Sequence, residues 1–216
     1  MNITDPWDIV EEFESKVANY AGSKYAVSTD NCTNALFLCL KYFEDDDLFW
    51  NNNPKNITIP KNTYISVPQA IVHAGYILKF EDLEWSGIYQ LKPLNIWDGS
   101  VRFKQDMYKG GYHCLSFHHR KPIGIGKGGM ILTDDIEFRN WARVARYEGR
   151  TYRVKYEDDV PKMVGWNMYM YPEQAEVGLE LFEKYIEPDW GWEAFDDVGG
   201  NESYTDLSKL EIFKEK

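Results

Sequence analysis

The sequence predicts an α/β domain built on a mostly parallel sheet. Short apolar strands alternate with amphipathic helices from about residue 7 to 185. Two of those strands close on chemistry-bearing residues, Asp98 after Leu94-Asn95-Ile96-Trp97 and Lys121 just beyond Ser116-Phe117. A glycine-rich return, Gly126-Lys127-Gly128-Gly129, then leads directly into a further strand. Alternation of this kind implies helices packed on a sheet, with ligands held at the carboxyl ends of its strands.

The elements follow in order. Asp5-Pro6 has the form of a helix cap followed by proline at the first helical position. Trp7, Ile9-Val10, Phe13, Val17 and Tyr20-Ala21 recur at helical spacing and stop at Gly22. Tyr25-Ala26-Val27-Ser28 is a short strand. The second helix starts near Asn31 or Thr33 and runs through Ala35 to Leu40, apolar nearly all round and so buried. Asp45 to Pro54 is a polar loop. Ile57 to Pro60 is a strand, Val67 to His73 a helix, Tyr76 to Phe80 a strand. After the strands ending at Asp98 and Phe117 come strand Met130 to Thr133 and helices over 135–147 and 172–185, the last opened by Pro172. One domain therefore spans residues 1–186. Residues 187–216 form an acidic, aromatic tail with a turn at Gly199-Gly200 and a final short helix from about Thr205.

Composition narrows the function. The 216 residues carry 24 basic and 35 acidic side chains, net −11, with no basic run to offset them. Nucleic acid and anionic membrane surfaces are thus poor partners. An anionic ligand needs a local basic pocket, and His118, His119, Arg120, Lys121 and Lys127 are the densest cluster. Cys32, Cys39 and Cys114 are too scattered for a disulfide framework or a zinc site, so no metal is expected. With neither a secretory leader pattern at Met1 to Asp5 nor a membrane-length apolar run, the reading is a cytoplasmic protein.

A serine five residues before a lysine, at a strand end, suits a cofactor with both a phosphate and an aldehyde. The Ser116 hydroxyl and nearby N–H groups would hold the phosphate, and the Lys121 amine would form a Schiff base with the aldehyde. Asp98 would keep a pyridine nitrogen protonated. The three in that order point to pyridoxal 5'-phosphate (PLP). Gly124 to Gly129 is not a nucleotide loop, because it opens a strand rather than a helix and Gly128, not Ser or Thr, follows Lys127.

The order of motifs resembles the DegT/DnrJ/EryC1/StrS family of PLP-dependent sugar aminotransferases. Cys32-Thr33-Asn34-Ala35-Leu36 is similar to the family's Ser-Gly-Thr-x-Ala-Leu phosphate turn, and Thr63-Tyr64-Ile65-Ser66 to the segment whose ring covers the pyridine. Asp98-Gly99-Ser100 resembles its Asp-Ala-Ala. Gly165-Trp166-Asn167-Met168-Tyr169 resembles Gly-x-Asn-x-Arg, whose asparagine reaches the phosphate of the neighbouring subunit. The resemblance implies the three-layer large domain of a fold-type-I aminotransferase and a homodimer with shared active sites. It implies catalytic Lys121 and Asp98, and cofactor contacts from Cys32, Thr33, Tyr64, Asp98, Ser116, Lys121 and Asn167.

Four departures accompany it. Only residues 83–97 separate Asp82 from Asp98, so one strand–helix unit is missing. Cys32 replaces the glycine of the phosphate turn. Val101 stands where Gln or His is usual, and Lys127 where Glu is. Most of the small C-terminal domain is also missing. The implied function is transfer of an amino group, from glutamate as the family's usual donor, to a nucleotide-linked keto sugar that His118 and His119 would face. Two alternatives stand beside it. One is another PLP reaction such as sugar dehydration, against which Lys121 argues because related dehydratases carry histidine there. The other is a reduced, non-catalytic member that binds PLP or a nucleotide sugar, against which the retention of both Asp98 and Lys121 argues.

Overall fold

The computed structural model describes residues 5–44, 46–51, 53–187 and 200–214. Helix α1 (Trp7–Ala21) begins as its sequence dictates: the Asp5 carboxylate accepts the Trp7 N–H at 2.9 Å, and the helix stops at Gly22, whose φ of 85° is left-handed. Strand β1 (Tyr25–Thr29) leads into α2 (Cys32–Tyr42), where Asn31 Oδ1 caps the Asn34 N–H at 2.8 Å. A one-turn helix α3 (Asp47–Trp50) lies in the stretch expected as loop. Then come β2 (Asn56–Pro60), α4 (Ser66–His73), β3 (Ile77–Glu81), β4 (Tyr89–Gln90), β5 (Ile96–Asp98), β6 (Tyr112–Ser116) and β7 (Gly129–Thr133). Helix α5 (Ile136–Ala145) is capped by Asp135, and α6 (Pro172–Tyr185) starts at its proline.

The main sheet has the order β1-β7-β6-β5-β4, and β2 pairs with β3 beside it. Here the expectation of a mostly parallel sheet needs correction: in the main sheet only β5–β6 is parallel, while β1–β7, β6–β7 and β4–β5 are antiparallel. The cause lies in the connections. A parallel crossover needs a dozen or more residues and usually a helix, whereas β4 returns to β5 through five residues and the twelve between β6 and β7 form no helix, being closed on themselves by backbone hydrogen bonds. β4 occupies the interval that looked like a missing unit. Beyond it, Lys92 and Thr58 exchange backbone hydrogen bonds of 2.8 and 3.0 Å, which tie β2 and β3 to the main sheet. Through these pairings β1, β2, β3, β5 and β6 all run in one direction.

Alternation along the strands divides two cores. Val27, Cys114 and Ile131 face a cluster with Leu36 of α2, Ile71 of α4 and Phe138 of α5. Ala26, Leu115 and Leu132 face the opposite cluster, with Phe13 and Val17 of α1 and Phe182 of α6. This is a three-layer α/β/α arrangement.

A buried ionic knot ties α1 to α5. Arg146, fully buried, donates to Glu14 Oε1 at 2.6 Å and to Ser28 Oγ at 2.8 Å, and Arg143 donates to Glu14 Oε2 at 2.6 Å. Burial alone would raise the Glu14 carboxyl, but the two guanidinium charges outweigh it and hold the group below its ordinary value.

The C-terminal segment folds back rather than trailing away. Leu207 and Phe213 are 3% and 9% exposed in the first core, and burying each stabilises by roughly 1.5–3 kcal/mol. In place of the helix expected from Thr205 there are separate three-ten turns at 207–209 and 211–213. The Leu207 N–H is drawn instead to Lys61 O, at 2.8 Å.

Candidate active site

Because β1, β5 and β6 run the same way, their carboxyl ends meet at one edge of the sheet. A cavity of about 630 Å³ opens there. Cys32, Thr33, Tyr64, Asp98, Ser116, His118 and Lys121 all line it, so the structure brings together residues that the sequence scatters over 90 positions.

Asp98 ends β5 and is 3% exposed. Its Oδ1 accepts the Ser100 N–H at 2.9 Å and its Oδ2 accepts the Tyr89 hydroxyl at 2.7 Å. Burial, then the Asp98 charge, pushes the Tyr89 phenol far up, so Tyr89 is the donor. The same phenol oxygen lies 2.5 Å from Thr63 Oγ1. Tyr89 thus fixes the rotation of the carboxylate, a role no local signal in the sequence marked.

Lys121 sits in the turn between β6 and β7. Its N–H donates to His118 O at 2.7 Å, while Phe117 N–H to Gly128 O (2.9 Å) and Ile125 N–H to Phe117 O (3.1 Å) close the base of that turn. Burial lowers the Lys121 ammonium below its ordinary value, against the pull of Asp98 and Cys32. A half-buried amine with reduced proton affinity near a carboxylate is a poised nucleophile and base.

Opposite lies the N-terminus of α2, whose first N–H groups have no partner within the helix and carry its positive dipole end. Thr33 Oγ1 stands 2.7 Å from Ser66 Oγ. Gly129 explains the glycine-rich return: a Cβ there would meet Asn31 C at 2.4 Å and Cys32 N at 2.5 Å, so only glycine lets β7 begin against the α2 turn. Cys32 is 9% exposed and packs into the core while still bordering the cavity. Burial, then Asp98, keeps its thiol strongly protonated, with Lys121 opposing. Lys127 spans the rim to Asp30 at 3.1 Å.

Two predicted residues lie elsewhere. His119 is exposed and outside the cavity lining, its ring 3.9 Å from that of His118, because the turn aims only one of the pair inward. Asn167 is also outside the lining; its Nδ2 donates to Glu148 Oε1 at 2.7 Å. Conversely, Arg120, Ser100 and Tyr204 join the lining.

A sequence profile of the DegT/DnrJ/EryC1/StrS aminotransferase family matches residues 2–96 and 106–187. The chain belongs to that family. Among curated proteins, it is 24% identical to spore coat polysaccharide biosynthesis protein SpsC of Bacillus subtilis (strain 168), over 81% of this chain and 56% of that one. It is 23% identical to GDP-perosamine synthase of Caulobacter vibrioides, over 82% and 57%. The chain therefore spans little more than half the length of these relatives. Among solved structures, Helicobacter pylori PseC, an aminotransferase involved in the biosynthesis of pseudoaminic acid, superposes with a TM-score of 0.65 at 17% identity, covering 81% of this chain and 57% of that one. 3-Amino-5-hydroxybenzoic acid synthase gives 0.66 at 18%, over 82% and 56%. These likenesses show the fold-type-I fold over the part that is covered.

The family depends on PLP, and the residues present suit it. A buried carboxylate is ready for a protonated ring nitrogen, and a half-buried lysine for an aldehyde. A helix N-terminus ringed by the Thr33, Ser66 and Ser116 hydroxyls is ready for a phosphate. Among the described residues, no helix is long and apolar enough to cross a membrane.

Proposed function

We propose that this chain is a PLP-dependent aminotransferase acting on a nucleotide-linked keto sugar, with glutamate as amino donor. The observation that carries the reading is the convergence of Asp98 and Lys121 on one cavity at the strand ends. Bound PLP supplies an electron sink for the pair of electrons left when the donor's α-carbon loses its proton. Lys121 Nζ would hold the cofactor until the donor's amine displaces it, and the freed amine would then carry that proton from the donor's α-carbon to the cofactor's C4′, a role to which its lowered proton affinity is suited. Asp98 keeps the proton on the pyridine nitrogen, and Tyr89 keeps Asp98 in place. The α2 N-terminus, Thr33 and Ser116 bind the phosphate, and Tyr64, 58% exposed at the cavity, covers the ring.

Arg120 and Lys127 place positive charge at the rim on a protein of net charge −11, and the His118 imidazole beside them adds a hydrogen-bonding group, which suits a substrate carrying a diphosphate. The curated relatives, one named for polysaccharide biosynthesis and one a GDP-perosamine synthase, support a sugar substrate of that kind. The cytoplasm is the proposed compartment, in keeping with free thiols at Cys32, Cys39 and Cys114. Glutamate added to PLP-loaded protein is expected to release one equivalent of 2-oxoglutarate per site without sugar, and to continue only when a suitable keto sugar is supplied. No release with glutamate would exclude it as the donor.

A homodimer with shared sites is part of the proposal, Asn167 reaching the partner's phosphate. Near Asn167 in the chain, Tyr156, Val160 and Val164 are 81%, 77% and 90% exposed, single apolar side chains among charged neighbours that a second subunit would cover. Light scattering is expected to give a dimeric mass, and a fully active monomer would refute the shared site.

A further inference from the structure

The C-terminal segment has an anchorage that its length and composition do not suggest. Asn201 Oδ1 accepts the Trp85 N–H at 2.8 Å, and Asn201 Nδ2 donates to Leu83 O at 2.8 Å. Asn62 Nδ2 donates to Tyr204 O at 2.9 Å, and Leu207 and Phe213 are buried below. These ties come from the loops that precede β4 and α4, the first leading into Tyr89 at the start of β4 and the second carrying Tyr64. Between the anchors sits Tyr204, whose ring lies parallel to that of Trp85, with 5.9 Å between centroids and 19° between planes. Trp85 in turn meets the Tyr89 ring edge-on at 4.6 Å, and the Tyr89 hydroxyl holds Asp98. Tyr204 therefore sits on an aromatic stack that ends at the cavity's buried carboxylate, and it lines the cavity together with Tyr64.

We infer that Tyr204 is part of the ligand site, its ring contacting bound PLP as a second aromatic wall beside Tyr64, with the rest of residues 200–214 serving to anchor it. The inference rests on the PLP reading above. Tyr204 is a contact residue and takes no part in proton transfer. Its chemistry fits: one ring face is already covered by Trp85, the chain around it is fixed at Asn201 and Leu207, and little side-chain freedom remains to be lost on binding. Residues separated from Asp98 by more than a hundred positions reach the site by folding back across β4.

The test is equilibrium titration of the full chain with PLP, followed by cofactor absorbance, alongside thermal melting. Tyr204→Ala is expected to raise the PLP dissociation constant about tenfold, the size of one lost aromatic contact. Tyr204→Phe keeps the ring and is expected to stay within about twofold of wild type on the same ground. Tyr204→Leu preserves apolar bulk against Trp85, so it is expected to melt like wild type yet bind as weakly as the alanine variant. That pairing separates ligand contact from folding. If the leucine and alanine variants bind PLP as wild type does, or if phenylalanine is as weak as alanine, the ring contact is wrong while the PLP reading stands. A wild type that takes up no PLP overturns both.

Discussion

Replacing Lys121 with alanine is expected to abolish transamination, lowering turnover by at least about 10³-fold, since in the proposed mechanism one group serves both as covalent anchor and as proton carrier. Half-buried in a turn closed by backbone hydrogen bonds, Lys121 contributes its amine rather than packing, so the melting temperature is expected to change little. PLP should still bind through the α2 N-terminus and the Asp98 side of the cavity, without covalent attachment. Asp98→Asn is the companion variant. It keeps the shape that Tyr89 and Ser100 grip but cannot hold a proton on the pyridine nitrogen, so turnover should fall by about 10²-fold or more while the cofactor remains bound. Steady-state assays with matched cofactor titrations read both. Full turnover by Lys121→Ala would contradict the mechanism.

The largest expected loss of stability lies away from the cavity, at Glu14. Its carboxylate is 2% exposed and shared by Arg143 and Arg146, and Arg146 also grips Ser28 at the end of β1. Glu14→Gln leaves a buried guanidinium without its counter-charge, which typically costs about 3–5 kcal/mol. Urea unfolding at neutral pH is the check, and a loss under about 1 kcal/mol would show that water reaches the pair. Removing both partners, as Glu14→Leu with Arg146→Met, should recover much of the loss because no charge then stays buried. The pH dependence has a definite sign. The folded state holds the Glu14 carboxyl below its ordinary 4.5, so the contribution is complete above that value and is lost as pH falls through the lower, folded value. Because Ser28 precedes the Asn31–Thr33 turn, weakening this knot should also loosen the proposed phosphate site.

What could be read from the sequence, and what could not, divides by range. Local chemistry was legible: Asp5 and Asp135 cap the helices they precede, Pro172 opens α6, and Asp98 interrupts an apolar run where a strand ends. Strand direction was not, because pairing is decided between segments. The twelve residues between Ser116 and Gly129, rich in glycine and without a helical pattern, were the available sign that β7 returns antiparallel. Gly128-Gly129 read as a return, but the backbone of Asn31 and Cys32 that demands glycine comes from another part of the chain. Tyr89 and Tyr204 were invisible for the same reason. Each is one aromatic among fifteen tyrosines until the fold sets it beside Asp98 or Trp85.

The central claim is that Lys121 holds PLP in the cavity that Asp98 closes. The most direct measurement is the visible spectrum of the purified protein with PLP before and after borohydride, followed by peptide mass mapping. The account predicts a yellow protein whose colour is discharged on reduction and whose pyridoxyl group maps to Lys121. A colourless protein, or an adduct on any other lysine, would contradict it and leave the family's non-catalytic form as the better description.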